Sequence, residues 1–198
     1  MIKIVYLHYL VISSKRFYLF LIIFTKSITK ITPLEMKITD IEIEQRAAKA
    51  VELFKEGYNC AQSVAGAWAD YYNVDPQMLM KLAASFGAGI GRMRETCGAA
   101  CGMFILAGLE TVCTDPKNSA GKSANYKVVQ ELAASFKECN GSINCSELLG
   151  LREIKEDKIT HIPQERTPEY YKKRPCAEMV ESGARIFGKF LAAKAEEK

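Results

Sequence analysis

The chain has 198 residues, 48% of them hydrophobic and 25% charged, a composition typical of a folded globular domain and not of a disordered chain. Five of its 27 basic residues and one of its 23 acidic residues fall in residues 1–35, so residues 36–198 carry 22 of each. Because this body is electrically neutral, its charge favours neither a nucleic acid nor a membrane surface as a partner.

Residues 1–35 differ from the rest of the chain. They contain two apolar runs, VYLHYLVI and FYLFLIIF, each eight residues long, whereas roughly 20 residues are needed to span a bilayer. The second run follows Lys15 and Arg16 as in a signal peptide, but no A-x-A cleavage site follows it. We expect either that translation starts at Met36 and residues 1–35 were assigned to the chain in error, or that residues 1–35 are a signal or anchor. A third interpretation is that residues 1–35 are an integral part of the fold. The protein is cytoplasmic in the first case, and exported or membrane-anchored in the second.

Residues 36–198 are predicted to form a single all-α domain, since helical periodicity recurs along them and no alternating strand pattern of useful length is present. From Asp40 to Glu56 the apolar residues lie on one helical face. Asn59 is suited to cap a second helix, whose inner face would carry Trp68 and Tyr71. Asp75 followed by Pro76 predicts the start of a third helix.

A glycine-rich connector, FGAGIG, precedes the predicted central helix. Gly87, Gly89 and Gly91 resemble part of the nucleotide-binding pattern G-x-G-x-x-G, but that fingerprint follows a strand, and here a helix precedes it. We therefore expect no dinucleotide site. The central helix is predicted from about Thr96 to Thr111.

The second half of the body predicts three further elements. A helix covers roughly Ser123 to Glu138, the segment NCSELLGL forms a short element, and a charged loop runs from His161 to Arg174. Pro175 opens the last helix. A compact bundle of about six helices with short connections follows from this order.

Seven cysteines, beside two histidines and one tryptophan, are the strongest compositional signal. In a cytosolic protein, thiols in this number are typical of catalytic, redox-sensing or metal-binding sites. Four of them follow a residue that starts a helix: Cys60, Cys97, Cys145 and Cys176. In a first helical turn, unpaired N–H groups and a partial positive charge stabilise a thiolate.

The remaining cysteines carry weaker signals. Cys101 lies one turn after Cys97 on the same helical face, which suits either a small packing residue or a resolving thiol. Cys113 and Cys139 lie near helix ends that oppose a thiolate, and both are interpreted as semi-buried small residues.

Small residues follow Cys97 in the central helix. Glycine inside a helix costs about 1 kcal/mol relative to alanine, so something must offset Gly98 and Gly102. Either the helix packs tightly against a neighbour and nothing more, or the close approach brings other cysteines up to Cys97.

Four segments in order resemble one known family: GYNCAQSV, FGAGIGRMRETCGAACG, NCSELLG and RPCAEMV. They resemble the C-GCAxxG-C-C family of redox-active proteins over roughly residues 40–190, with the central motif read as Cys-Gly-Ala-x-x-Gly at 97–102. The resemblance implies that the family cysteines correspond to Cys60, Cys97, Cys145 and Cys176, and it gives no role to the other three. A similar domain occurs in split-Soret cytochromes, but this chain has no C-x-x-C-H, so no c-type haem is expected.

Three functions remain open from the sequence. The first is thiol–disulfide or electron-transfer chemistry with a redox partner protein or a small thiol or disulfide, in which Cys97 attacks and Cys60, Cys145 or Cys176 resolves. The second is an iron–sulfur or zinc site held by the same four cysteines, although paired short spacings are absent. The third is a helical interaction protein with incidental thiols. A membrane enters only if residues 1–35 are a real anchor.

Two polar features of the charged loop predict no site. His161 is interpreted as a solvated side chain, since no Ser-His-Asp arrangement can be argued around it. The run from Lys172 to Arg174 is interpreted as a solvated turn and not as a phosphate site.

Overall fold

The computed structural model describes residues 38–112, 114–151 and 160–196, and within these ranges the predicted all-α class is confirmed. The helices are α1 (Asp40–Lys55), α2 (Cys60–Gly66), α3 (Pro76–Ala83), α4 (Gly98–Thr111), α5 (Ser119–Asn140), α6 (Cys145–Leu148), α7 (Pro168–Lys172) and α8 (Cys176–Glu196). The predictions for residues 1–35 and for Cys113 lie outside the described residues. In the part of the chain that is described, no helix has the length and apolar character to cross a membrane.

Local capping explains why several helices begin where they do. The Thr39 side chain accepts a hydrogen bond from the Glu42 N–H, and the Glu42 carboxylate accepts one from the Thr39 N–H, which completes a capping box at the start of α1. Asn59 caps α2 in the same way with Gln62. Asp75 caps α3 just before a proline at the first helical position, as its sequence predicted.

Four details of the predicted helices were wrong. Helix α2 ends at Gly66, so Trp68 and Tyr71 lie beyond it; Trp68 is still buried, but Tyr71 is 41% exposed. Leu82 in α3 and Tyr126 in α5 belong to the apolar stripes of their segments, and this pattern predicts that they face inward, but they are 58% and 62% exposed. Periodicity places these residues on an apolar helical face, but the neighbouring elements decide how much of that face is covered. The predicted charged loop contains α7, which Thr167 caps.

Helix α4 is the central element of the bundle. It contacts α2, α3, α5 and α8, while α1 packs along α8. The main core cluster includes Trp68, Phe54, Phe136 and Phe187, all of them fully buried. A second, smaller cluster fills the space between α2, α3 and α4 and consists largely of alanines, so α2 can lie close to α4 on that side.

Candidate functional site

Backbone hydrogen bonds hold two of the predicted site cysteines, Cys97 and Cys145, close to each other. The strand-like residues before α4 and before α6 form an antiparallel bridge. Across it, Cys97 donates its N–H to the Ile143 carbonyl at 2.8 Å, and Cys145 donates its N–H to the Glu95 carbonyl at 2.6 Å. Because these two hydrogen bonds flank the bridge, the starts of α4 and α6 are held side by side, and Cys97 lies near Cys145 although 48 positions separate them in the chain.

Asparagine caps fix the starts of α2 and α6. Asn59 accepts hydrogen bonds from the N–H groups of Ala61 and Gln62, and Asn144 likewise accepts from Ser146 and Glu147. Asn59 also donates its amide to the Ala84 carbonyl at 2.8 Å, which ties the start of α2 to the 3-10 turn at Ala84–Phe86 that follows α3. The cysteine that follows each cap, at position 60 or 145, is therefore the first helical residue.

Glycine brings α2 against the start of α4. A Cβ atom placed on Gly98 would lie 3.0 Å from the Cys60 Cβ and 2.9 Å from the Phe86 carbonyl oxygen. One turn later, a Cβ on Gly102 would lie 2.7 Å from the Val64 Cβ. Such distances leave no room for a side chain, so the close approach depends on both glycines. Of the two interpretations left open, the structure favours the one in which small residues bring another cysteine up to the central helix.

The four cysteines line one pocket. Its cavity has a volume of about 50 Å³, and Cys60, Cys97, Cys145 and Cys176 all contribute to its wall. The first three are buried and Cys176 is half-buried. All six cysteines among the described residues are free thiols. The cavity is far smaller than the several hundred Å³ of a typical small-molecule site, so only a small group can reach the thiols.

Burial raises the pKa of three of the four thiols. It raises the pKa of Cys97 to about 12, although the N–H groups of Ala99 and Ala100 at the start of α4 act in the opposite direction. It also raises the pKa of Cys145, against hydrogen bonding and charge from Arg94. For Cys60, hydrogen bonding with Cys176 and burial both raise the pKa. The thiolate expected at these three helix starts is therefore disfavoured: the hydrogen bond with Cys176 and burial act together at Cys60, and burial outweighs the opposing groups at Cys97 and Cys145.

Cys176 is the exception. Hydrogen bonding with Cys60 lowers its pKa to about 7, and the positive charges of Arg174, Arg166 and Arg94 act in the same direction. Cys176 is also the first residue of α8, a helix of 21 residues whose start carries a partial positive charge. The pocket thus holds one thiol that ionises near neutral pH beside others that stay protonated.

The other described cysteines lie outside this pocket. Cys101 is buried in the second core cluster, and its thiol donates to the Thr96 carbonyl at 3.8 Å. It shares a helical face with Cys97 but not the cavity, which favours the packing interpretation. Cys139 is exposed near the end of α5, so its interpretation as a semi-buried residue was wrong. His161 is exposed, as expected of a loop histidine.

Sequence reasoning missed the arginines of the site. Arg94, Arg166 and Arg174 line the cysteine pocket, and Arg174, interpreted as part of a solvated turn, is half-buried there. The Arg166 guanidinium lies over the rings of Phe54 and Tyr170, at 4.4 and 4.8 Å from their centroids. Arg94 and Arg174 come shortly before Cys97 and Cys176 in sequence, which was an available signal. Arg166 had none, since its position depends on the aromatic rings that hold it.

The donor geometry bears on the predicted metal site. Within residues 38–112, 114–151 and 160–196, no group of three or more His, Cys, Asp or Glu side chains is arranged to hold a metal ion. The four cysteines share a pocket, but as they are placed they do not fit a four-thiolate centre.

The fold and the site define an all-α domain in which cysteines from four helix starts line one pocket. The family model described as "Putative redox-active protein (C_GCAxxG_C_C)" matches residues 58–190, more than half of the chain, and the chain belongs to this family. The motif in the family's description has glycine before cysteine, whereas in this chain Cys97 precedes Gly98. No curated protein and no solved structure matches the chain significantly.

Proposed function

We propose that the chain is a dithiol redox protein in which Cys176 is the attacking thiolate and Cys60 the resolving thiol. The observation that carries the proposal is the environment of Cys176: it is the one half-buried thiol of the cysteine pocket, three arginines face it, and Cys60 is its hydrogen-bond partner. A nucleophilic cysteine needs both access and a stabilised thiolate. Cys97, the nucleophile favoured by the sequence, lacks both.

The reaction balances as a two-electron exchange. The Cys176 thiolate attacks one sulfur of a substrate disulfide; a protein–substrate S–S bond forms, the substrate S–S bond breaks, and the departing half leaves as a thiolate and takes up a proton. Cys60 then loses its proton to solvent, its sulfur attacks the Sγ of Cys176, and the second half leaves and is protonated. Two protein thiols are oxidised to one disulfide, and one substrate disulfide is reduced to two thiols. An external thiol reductant restores the dithiol.

Disulfide mapping tests the proposal on the full chain. Reduced protein, prepared without oxygen, is oxidised by a small disulfide and digested, and its cross-linked peptides are identified by mass spectrometry. We expect a bond between Cys60 and Cys176, and a mixed disulfide trapped on Cys176 in the Cys60→Ser variant. Cys139→Ser is the matched control, because Cys139 is exposed and outside the pocket. A mixed disulfide trapped on Cys97 instead would refute this assignment.

The metal-binding alternative is decided by the same preparation. Iron, zinc and the visible spectrum are measured before oxidation. A brown protein with stoichiometric iron, or stoichiometric zinc that blocks all four pocket thiols, would replace the dithiol proposal by a four-cysteine metal centre.

A further inference from the structure

A second, wider pocket adjoins the cysteines and is strongly basic. It has a volume of about 250 Å³ and shares Arg94, Arg166 and Arg174 with the cysteine pocket. Arg92, His161, Asn59 and Gln164 also line it, and no described Asp or Glu does. Four arginines therefore surround a space that opens next to the thiols.

None of these four arginines forms an ion pair with a carboxylate among the described residues. Their partners are neutral: the Arg92 Nε donates to the Thr160 carbonyl at 2.8 Å, and the Arg174 Nη2 donates to the Gln164 side chain. The Nη1 of Arg166 is buried and has no hydrogen-bond partner among the described residues.

The positive charges of these arginines also repel one another. Burial lowers the pKa of Arg92, and the charges of Arg94 and Arg174 lower it further. Gathering like charges without a counter-charge is costly, and an anion bound among them would offset that cost. The Cys176 thiolate supplies a negative counter-charge for Arg94, Arg166 and Arg174, which face it. It does not account for Arg92, which lines the wider pocket and not the cysteine pocket.

We infer that this arginine pocket binds the carboxylate end of a small anionic disulfide and so delivers its S–S bond to Cys176. The inference rests on the proposed dithiol function and adds the class of substrate. The two pockets are adjacent because they share three arginines in their walls, and we expect a molecule held by Arg92 to direct its other end toward the thiols. A volume of about 250 Å³ suits one half of a short dicarboxylate disulfide and is small for a folded partner's loop.

Three disulfides of similar size and different charge test the inference on the reduced full chain. The probes are 3,3′-dithiodipropionate (dianionic), bis(2-hydroxyethyl) disulfide (neutral) and cystamine (dicationic). Stopped-flow kinetics at constant ionic strength, with mass spectrometry of the adduct, give the rate of mixed-disulfide formation at Cys176. We expect the dianion to react at least about tenfold faster than the dication, in line with electrostatic guidance into a basic cleft, and the ratio to fall as salt is added.

The variant Arg92→Gln locates the effect. We expect it to lower the ratio of the dianion rate to the neutral rate about three- to tenfold. The control Lys137→Gln, at an exposed position outside both pockets, leaves that ratio unchanged. If Cys176 reacts with all three probes at similar rates, the arginine pocket is not a substrate site and the dithiol function stands. If none of the probes modifies Cys176, the proposed function fails and this inference with it.

Discussion

Replacing Gly102 by alanine separates the packing of α4 against α2 from the helix propensity of glycine. A Cβ atom at Gly102 would lie 2.7 Å from the Val64 Cβ and 2.9 Å from the Ala61 carbonyl oxygen. A backbone carbonyl cannot give way alone, so α2 must shift. Gly108 lies on the same helix, and a Cβ there would meet nothing within 4 Å. The two substitutions are chemically identical and differ only in this contact.

The magnitude follows from two opposing effects. Alanine in place of a helical glycine gains about 1 kcal/mol in both variants. Overpacking of a filled contact costs about 1–3 kcal/mol and applies only at Gly102. Because the gain is shared, Gly102→Ala is expected to be less stable than Gly108→Ala by about 1–3 kcal/mol, and for a chain of this size each kcal/mol moves the Tm by about 2–4 °C.

Urea unfolding of the full chain, followed by far-ultraviolet circular dichroism, measures this difference. A second readout is the pH dependence of alkylation at Cys176, because a shift of α2 moves Cys60 away from its hydrogen-bond partner and raises the pKa of Cys176. If both variants are stabilised equally, α2 and α4 are not in close contact at Gly102, and the account of how the cysteines converge is wrong.

Two further outcomes are expected. Iodoacetamide labelling of Cys176 should reach half its maximal rate near pH 7, because the thiolate forms as the pH rises through its pKa. The variant Arg174→Gln removes a positive charge that stabilises this thiolate, so the labelling midpoint should move to higher pH. A midpoint that does not move would contradict this role of Arg174. Asn59→Ala leaves the N–H groups of Ala61 and Gln62 without their acceptor. The free energy of unfolding should fall by about 0.5–2 kcal/mol in thermal denaturation, and an unchanged Tm would show that water replaces the cap.

The starts of the helices could be predicted because their causes are local. An asparagine or aspartate cap acts on N–H groups two or three residues ahead, as at Asn59 and Asp75, so a short stretch of sequence contains both partners. The exposure of Tyr71 and Leu82 could not be predicted in this way. Whether the edge of an apolar stripe is covered depends on the length and position of another helix. Helix α7 was missed because its five residues, Pro168–Lys172, are too few to show a periodic apolar stripe.

The sequence by itself determined the all-α class and singled out the four cysteines by their places at helix starts. Only the tertiary structure decided which of those thiols ionises near neutral pH. A thiol's pKa depends on how far burial removes it from water and on which charges surround it, and both are set by residues distant in the chain. Burial raises the pKa of Cys97, so this thiol stays protonated. The charge of Arg166 helps lower the pKa of Cys176, and Arg166 is held in place by aromatic rings and belongs to no recognisable sequence motif.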